Sequence, residues 1–349
     1  MIVLLGATGY TGGLVLDALR RRGGRPVLAG RNRSALSALS APDGLDIAVA
    51  DVSDPGSIRA LLGPGDVLIT TVGPFDRYGH AAAQSAADAG AHYLDSTGEV
   101  GFVQTVHMRH HERARETGSA MLPAFGYDYV PGLLAGALAA EAAGSPRTLD
   151  IGYFATGPLY RGLSQGTRTT MRDGMTLPSL RWKGGELVEE RTARQVRTFR
   201  VRGRRKPGFL VSGTEVLFLP GSFPSLDQVT VYNGWFGGFS RALPAVSALA
   251  AFAGPLVTAA SRPLIGPPGG PDTAARAKTR SQAVAVADSR IEVQLEGPNV
   301  YTLTGELLAW AALRLATEGP VRPGVLGPVE AFGLDALRDG CAEMGLRQV

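Results

Sequence analysis

The first residues of the chain constrain its fold more than any other stretch. They read MIVLLGATGYTGG, in which an apolar run, Ile2–Leu5, meets a turn that contains Gly6, Gly9 and Gly12. Apolar residues then recur at helical spacing, so the order is strand, tight turn, helix. Glycine leaves room for a phosphate against the main chain, and the following helix offers unpaired N–H groups. The pattern predicts a phosphate-binding turn; a glycine turn without a ligand is the alternative.

The next predicted strand, Pro26–Gly30, ends at Arg31. In a dinucleotide-binding fold the end of this strand faces the adenosine ribose, where an acidic residue would bind the free hydroxyls of NAD. A guanidinium cannot accept those bonds, but it pairs bidentately with a 2′-phosphate. The sequence therefore predicts NADP, with Arg33 assisting; a solvated arginine at the end of a strand is the alternative.

Strands and helices alternate over the first third of the chain, which is typical of a doubly wound parallel α/β sheet of the Rossmann type. The further strands predicted there are Asp46–Asp51, Asp66–Gly73, His92–Asp95 and Ser119–Phe125. The turn Gly73-Pro74-Phe75 follows a central strand, so we expect it beside the cofactor crevice, near the nicotinamide.

From Thr148 onward the predicted strands come in runs, which favours a second α+β domain with a mixed or antiparallel sheet. These strands are Leu149–Ala155, Gln195–Val201, Glu215–Leu219, Gln228–Tyr232, Ala283–Ala287 and Ile291–Leu295. We further expect a helix to start within Ser164–Met175, a loop over Gly266–Pro271 and a helix over Thr302–Thr317.

Composition sets the class of protein. With 349 residues, of which 44% are hydrophobic and 19% charged, the chain is expected to be globular and large enough for two domains. Its net charge of +4 permits an acidic ligand but does not call for nucleic acid. Cys341 is the only cysteine, which excludes an intrachain disulfide and a cysteine-based metal site.

Two features of the sequence bear on localisation and assembly. The chain opens directly on a strand, without the pattern of a signal peptide, so a cytoplasmic protein is expected. The apolar stretch Ala242–Ser261 is interrupted by Pro244, Gly254 and Pro255, which favours a core or interface helix over a membrane span. As an interface, it would make the protein a homodimer.

Five motifs occur in order: GATGYTG, AGRN, TTVGPFDRYG, YLDSTGE and FGYDYVPG. In these the chain resembles the saccharopine dehydrogenase-like NADP-dependent reductases, a group that includes saccharopine reductases and trans-acting enoyl reductases. The resemblance covers about residues 1–135 and returns near the end in GPNVYTLTGELLAWAALRLA. It implies an NADP-binding Rossmann domain over residues 1–130, an inserted substrate or dimerisation domain over 131–297, and C-terminal helices over 298–349 that pack on the first domain.

The resemblance also implies a cofactor site. The predicted contacts are Gly6, Thr8, Gly9, Tyr10, Thr11, Gly12, Arg31, Asn32, Asp51, Thr71, Val72, Gly73, Pro74 and Gly98. The chain departs from the family at Gly126-Tyr127-Asp128-Tyr129, where related sequences often have a GFDS-type turn, so its substrate side is more phenolic. The arginines that recognise the amino acid in true saccharopine enzymes have no counterparts that can be mapped, so saccharopine is not the expected substrate.

Hydride transfer from NADPH requires a proton donor for the atom left behind. The candidates follow strand ends that face the predicted crevice, and they are Tyr78, Asp95, Glu99, Tyr127 and Asp128. A structural hydrogen bond is the alternative for each. No tyrosine has a lysine four residues later, which disfavours the chemistry of short-chain dehydrogenases.

Two further clusters could bind ligands. His107, His110 and His111 have helical spacing, but their charged neighbours indicate a solvated helix face, and no metal is expected. In the basic run Arg191–Lys206, arginines alternate with Phe199 and Val201. This run predicts either a solvated edge strand or recognition of an anionic substrate or an acidic carrier protein.

Together these features predict an NADP-dependent oxidoreductase. It would transfer hydride to a C=N bond or an activated C=C bond of a small or carrier-linked metabolite. An NADP-binding sensor without catalysis is the alternative, although a long inserted domain favours an enzyme.

Overall fold

The computed structural model describes residues 1–157, 163–168, 177–248 and 269–349. It contains two compact units, of which the first comprises Met1–Val130 and Tyr301–Gly340, and the second Pro131–Val300 and Cys341–Val349. The predicted features that lie partly outside the described residues are Ser164–Met175, Ala242–Ser261 and Gly266–Pro271.

Strands and helices alternate in the first unit, all of which is described. In chain order they are β1 (Ile2–Leu5), α1 (Tyr10–Arg21), β2 (Val27–Gly30), α2 (Arg33–Ser40), β3 (Ile47–Val49), α3 (Pro55–Arg59), β4 (Val67–Thr70), α4 (Phe75–Tyr78), α5 (His80–Ala89), β5 (His92–Asp95), α6 (Val100–Thr117) and β6 (Ala120–Leu122). The chain then enters the second unit through α7 (Val130–Ala143).

The first sheet is wholly parallel. Its seven strands lie in the order β15-β6-β5-β4-β1-β2-β3, where β15 is the short strand Gly324–Val325. β1 pairs with β2 on one side and β4 on the other, so the strand order reverses beside β1. In folds of this kind a ligand-binding crevice is expected at the carboxyl ends of these strands. The predicted Rossmann-type sheet is confirmed.

The last part of the first unit is helical. After the second unit the chain forms α10 (Val300–Thr317), and β15 is followed by α11 (Pro328–Phe332) and α12 (Leu334–Glu343). Trp310 and Phe332 meet edge to face with ring centroids 4.9 Å apart, and both contact Phe125 in the turn after β6. This aromatic cluster ties the C-terminal helices to one turn of the predicted crevice.

The described part of the second unit is built on a mixed sheet. Its elements are α7, β7 (Thr148–Thr156), β8 (Pro178–Lys183), β9 (Glu186–Arg191), β10 (Val196–Val201), β11 (Arg204–Val211), α8 (Glu215–Ser222), β12 (Gln228–Asn233), α9 (Thr273–Ala277), β13 (Arg280–Ala287), β14 (Ile291–Gly297) and β16 (Arg347–Gln348). The strands run in the order β10-β11-β12-β7-β13-β14-β16, and β8 joins β12 to β9. Only β7 and β12 are parallel neighbours among the described pairs, so the predicted mixed sheet is confirmed.

One predicted strand is wrong. Glu215–Leu219 forms the start of α8, in which Glu215, Val216, Phe218 and Leu219 are buried. A short apolar run has no periodicity that separates a strand from a buried helical turn, and packing on the sheet decides between them. The hairpin of β8 and β9 was not predicted, because its strands are largely polar.

Within the described residues, no helix has both the length and the apolar character that crossing a bilayer requires.

Close packing of α12 on the aromatic cluster gives a test of the fold. A Cβ at Gly340 would collide with the indole ring of Trp310, whereas a Cβ at Gly101 in α6 would meet no atom within 4 Å. We expect Gly340→Ala to lower the free energy of unfolding by about 1–3 kcal/mol, because the ring or the helix must move. Gly101→Ala is the matched control and should leave stability unchanged or raise it by about 0.5–1 kcal/mol. Urea unfolding of both variants measures the difference, and equal effects would contradict the packing.

Candidate functional site

The turn between β1 and α1 is built so that only glycine fits its first position. Gly6 has φ +87°, and a Cβ there would lie 2.7 Å from Thr71 Oγ1 and 2.9 Å from Val72 Cγ2. The Gly9 N–H donates to the Gly6 carbonyl at 2.9 Å and closes the turn. The turn therefore rests directly on the residues that follow β4, as expected for a nucleotide-binding crevice.

The start of α1 comes equally close to this turn. A Cβ at Gly12 would collide with the Gly6 carbonyl oxygen and lie 2.9 Å from the Gly6 carbonyl carbon. α1 begins at Tyr10, and its N-cap, Gly9, provides no side chain to bond the first N–H groups. Thr8 and Gly9 are exposed. A turn with glycine at its crowded positions, at the start of a helix that has no side-chain cap, fits a pyrophosphate.

The residues predicted at the ribose lie at the ends of β2 and β3. Arg31 is exposed, and no hydrogen bond or ion pair joins it to the described residues. Asp51 accepts hydrogen bonds from the Ser53 N–H and hydroxyl at 2.9 and 2.8 Å, which lower its pKa, and the charge of Arg31 adds to this effect. The guanidinium of Arg31 is thus positioned near a carboxylate that has its own partners, and it stays available for an anion.

Asn32 has a structural role. Its Oδ1 accepts hydrogen bonds from the Ala35 N–H at 3.1 Å and the Ser34 hydroxyl at 2.7 Å, and so caps α2. The predicted cofactor contact of Asn32 would have to come from other atoms of the residue.

Glu99 joins the turns that follow β4 and β5. Its two carboxylate oxygens accept hydrogen bonds from the Phe75 N–H at 2.9 Å and the Asp76 N–H at 2.8 Å. Both donors belong to the first turn of α4, directly after the exposed residues Gly73 and Pro74. Glu99 therefore caps α4 from a neighbouring turn, and both of its oxygens are engaged.

Asp95 joins the turns that follow β5 and β6. Its Oδ1 accepts hydrogen bonds from the Thr97 N–H at 2.9 Å and the Ala124 N–H at 2.8 Å. The Tyr93 hydroxyl is the polar group next to its Oδ2, which accepts no N–H bond from the described residues. The side chain is completely buried, and this desolvation raises the pKa of Asp95 to about 6 although the two N–H bonds act in the opposite direction.

Two more hydrogen bonds connect the turn after β6 to the turn after β5 and to α10. The Tyr129 hydroxyl donates to the Gly98 carbonyl at 2.8 Å, and the Tyr127 N–H donates to Thr304 Oγ1 in α10 at 3.0 Å. Gly98, a predicted cofactor contact, is thus fixed by a phenol from the turn after β6. The turns after β4, β5 and β6, which we call the crevice frame (residues 71–79, 96–99 and 123–129), are cross-linked by side chains.

Asp128 differs from the other predicted acids. Part of its surface is exposed, and no hydrogen bond from the described residues reaches its carboxyl group. Desolvation raises its pKa to about 6. Tyr78 is also partly exposed, with the Arg77 guanidinium 5.0 Å from its ring centroid, whereas Tyr127 is buried.

The structure thus brings together Gly6, Gly9 and Gly12 with Thr71 and Val72, and links Asp95, Glu99 and Gly98 through the crevice frame. Sequence reasoning missed Tyr129, although it lies in the FGYDYVPG motif, where a phenol beside a candidate carboxyl was a signal. It also missed Thr304, which is distant in sequence from every motif of the crevice.

The histidines of α6 pack locally. The rings of His107 and His111 lie 4.8 Å apart, and His111 Nδ1 is 3.2 Å from the Val325 carbonyl oxygen at the edge of β15. Across the described part of the chain, no group of three or more His, Cys, Asp or Glu side chains is arranged to hold a metal ion.

Comparison with known proteins identifies the nucleotide-binding part. Residues 2–122, about a third of the chain, match the model of the saccharopine dehydrogenase NADP-binding domain, which supports NADP as the cofactor. A trans-acting enoyl reductase of Mycobacterium leprae is 40% identical over 137 residues, and a probable mitochondrial saccharopine dehydrogenase-like oxidoreductase of Arabidopsis thaliana is 36% identical over 146 residues. Each match covers 37% of this chain but only 33% and 32% of the relative, about a third of its length.

The fold as a whole has solved counterparts. Saccharopine dehydrogenase (L-Glu forming) of Saccharomyces cerevisiae aligns with a TM-score of 0.65 over 100% of this chain and 99% of its own, at 14% identity. Homospermidine synthase of Legionella pneumophila, solved with NAD, aligns with a TM-score of 0.66 over 99% of this chain and 90% of its own, at 10% identity. At these identities the likeness establishes the fold alone.

The buried carboxyl group of Asp95 can be tested by unfolding, because the direction in which it makes stability depend on pH is known. Because its pKa is raised to about 6, the folded state holds the proton more tightly than the unfolded state, and stability falls as pH rises from about 4 to 6. Asp95→Asn keeps the Oδ1 acceptor without the buried charge, so it should remove a decrease of about 3 kcal/mol over this range. Asp95→Ala should lower the free energy of unfolding by about 2–4 kcal/mol at every pH, because two buried N–H groups lose their acceptor. Denaturant unfolding between pH 4 and 7 measures both, and an unchanged pH dependence in Asp95→Asn would contradict the raised pKa.

Proposed function

We propose that the protein is an NADPH-dependent oxidoreductase that reduces a C=N bond or an activated C=C bond of a small or carrier-linked metabolite. The observation that carries the proposal is Asp128. It is a partly exposed carboxyl group without hydrogen-bond partners, its pKa is raised to about 6, and it belongs to the crevice frame of an NADP-binding domain. Perturbed groups of this kind cluster at sites of proton transfer.

The cofactor would be held by the chain's own backbone and one cation. The amides at the start of α1 and the cradle of Gly6 and Gly12 would bind the pyrophosphate, and Arg31 would bind the 2′-phosphate. NADPH, when bound, supplies the hydride. The crevice frame would keep the turns after β4, β5 and β6 in fixed positions around the reacting atoms, as preorganisation requires.

Asp128 is the strongest candidate for the proton donor among the five predicted residues. The carboxylate of Glu99 is engaged by two N–H groups, and Asp95 is completely buried. Tyr127 is buried as well. Asp128 retains exposed surface and carries a proton over more of the range below neutral pH than an ordinary aspartic acid does. Asp95 and Glu99 would act as positioning residues, and Tyr78 would be the second donor to test.

The names of the similar relatives guide the choice of substrate class. The similar relatives include enzymes named for enoyl reduction in trans, which favours an activated C=C bond on a carrier-linked substrate. The chain matches only about a third of these relatives, so their activity is a guide to which substrates to assay first. Enoyl thioesters, carrier-linked and free, come first, and cyclic and acyclic imines second.

Turnover is the direct test of an enzyme. Purified protein should oxidise NADPH, followed by its absorbance, with at least one member of the enoyl thioester and imine panel. If NADPH binds with a defined stoichiometry but no substrate is reduced, the proposal fails in favour of a nucleotide-binding sensor.

Cofactor choice tests the position of Arg31. We expect Arg31→Asp to weaken NADPH binding about 10–100-fold, because the 2′-phosphate loses a bidentate cation and meets a carboxylate. NADH binding should be unchanged or stronger, since the new carboxylate can accept the ribose hydroxyls. Arg109→Asp, on the exposed face of α6, makes the same charge change away from the crevice and should have little effect. Fluorescence titration with both nucleotides measures the preference; if NADPH is still preferred by Arg31→Asp, the ribose assignment is wrong.

The pH profile tests Asp128. If its carboxylic acid donates the proton, kcat falls as pH rises through about 6, because the deprotonated form cannot donate. Asp128→Asn should lower kcat about 10²–10⁴-fold and remove this limb, while NADPH affinity stays the same. Asp95→Asn and Tyr78→Phe serve as comparisons. A full loss in Tyr78→Phe with an intact pH limb in Asp128→Asn would assign the donor to Tyr78 instead.

A further inference from the structure

The turn Gly126–Tyr129, which we call the Asp128 turn, is held by hydrogen bonds on both sides of Asp128. After Asp128, the Tyr129 hydroxyl donates to a carbonyl of the turn that follows β5, at 2.8 Å. Before it, the Tyr127 N–H donates to Thr304 Oγ1 at 3.0 Å. Because no hydrogen bond from the described residues reaches the carboxyl group of Asp128, its position depends on this backbone.

Thr304 also packs closely against the Asp128 turn. A Cβ at Gly126 would lie 3.0 Å from Thr304 Cγ2 and 3.2 Å from its Oγ1, so a larger residue there would press on the threonine. Further along α10, the ring of Trp310 stacks on Phe125 with centroids 6.5 Å apart. The segment before Asp128 is therefore in contact with α10 at two points, about 9 Å apart along the helix.

The same helix lies against α1, whose first turn belongs to the predicted phosphate site. The rings of Tyr301 and Tyr10 meet edge to face with centroids 5.5 Å apart. A Cβ at Gly305 would lie 2.9 Å from the Leu14 carbonyl oxygen, so the two helix backbones are in close contact. At the other end of α1, the carboxylate of Glu306 pairs with two arginines at 2.6 Å.

These contacts come from one face of α10. Tyr301, Thr304 and Gly305 have the spacing i, i+3 and i+4, which places them on the same side of a helix. All of their partners named above lie in the first unit. One rigid helix therefore contacts both the start of α1 and the Asp128 turn, and it holds the two in register.

We propose that Thr304 is a positioning residue that keeps Asp128 in place to donate its proton, acting through the Tyr127 N–H. This role rests on the proposed function, in which Asp128 is the proton donor. A bond one residue before the donor restricts where its carboxyl group can lie, and a misplacement of about 1 Å can lower a rate about 10²-fold. The alternative is a hydrogen bond that stabilises the fold without acting through Asp128.

The hydrogen bond itself can be tested without turnover. Thr304→Val removes the acceptor at nearly constant volume, whereas Thr304→Ser keeps it. In the protein without nucleotide, the Tyr127 amide should exchange with solvent at least about tenfold faster in Thr304→Val and at an unchanged rate in Thr304→Ser. Amide hydrogen exchange followed by NMR measures both rates, and equal exchange in the two variants would overturn the proposal.

Steady-state kinetics test the positioning role. We expect Thr304→Val to lower kcat about tenfold, while KM and the NADPH dissociation constant stay within about twofold of the wild type. Thr304→Ser should keep kcat within about twofold. Thr317→Val is the matched control on the same helix, because the Thr317 hydroxyl donates to the Leu313 carbonyl of α10 at 2.9 Å, and it should leave kcat unchanged.

Double substitutions test whether Thr304 acts through Asp128. In Asp128→Asn the donor is already lost, so adding Thr304→Val should lower kcat less than about twofold further. Gly126→Ala should also lower kcat, because its Cβ would crowd Thr304 Cγ2. Adding Thr304→Ser, which removes that methyl group and keeps the hydroxyl, should restore part of the loss. This second pair tests the proposal even if Thr304→Val does not fold.

The outcomes separate the positioning role from the proposed function. A wild-type kcat in Thr304→Val would overturn the positioning role alone, as would a full tenfold loss in the Asp128→Asn background. A loss explained by weaker NADPH binding would overturn it too, because Thr304 would then act on the cofactor site. A wild-type protein that binds NADPH but reduces no substrate of the panel would overturn the proposed function, and the positioning role with it.

Discussion

The candidate site depends on the way in which three loops are held at one edge of a parallel sheet. Parallel strands fix each other through backbone hydrogen bonds, but the turns beyond their ends have no such ladder. In this chain two buried or half-buried carboxylates and one phenol replace it. Asp95 binds N–H groups of two turns, Glu99 caps a helix that belongs to a third, and Tyr129 returns to the Gly98 carbonyl. The acids nearest the reactive end of the crevice thus act mainly as scaffold.

This arrangement separates positioning from reactivity. Glu99 has both carboxylate oxygens engaged by N–H groups, and Asp95 is completely buried, so neither presents a free oxygen at the surface of the site. Asp95 and Asp128 both have a pKa raised to about 6 by desolvation, but Asp128 alone of the two retains exposed surface. The sequence motifs offer these acids as equivalent candidates for the proton donor, and only their surroundings in the structure distinguish them.

Much of the fold could be predicted from the sequence. The buried strands of the parallel sheet are continuous apolar runs, and glycines mark the turns that follow them. The second unit was harder. Glu215–Leu219 has the composition of a strand and forms a helix, since its neighbours and not its own periodicity decide the outcome. At the site, the glycines and Arg31 could be proposed as cofactor contacts from the sequence, because each follows directly from a short local motif. The roles of Glu99 and Tyr129 could not, because they depend on contacts between segments that are far apart in sequence.

The order of the two units along the chain has a consequence for biosynthesis. The first unit takes its last strand, β15, and the aromatic residues Trp310 and Phe332 from residues 301–340, beyond the whole of the inserted unit. On the ribosome, the nucleotide-binding sheet therefore stays incomplete until Gly324–Val325 has emerged. Until then Phe125 lacks its contacts with Trp310 and Phe332, and the whole inserted unit is synthesised before the sheet can be completed.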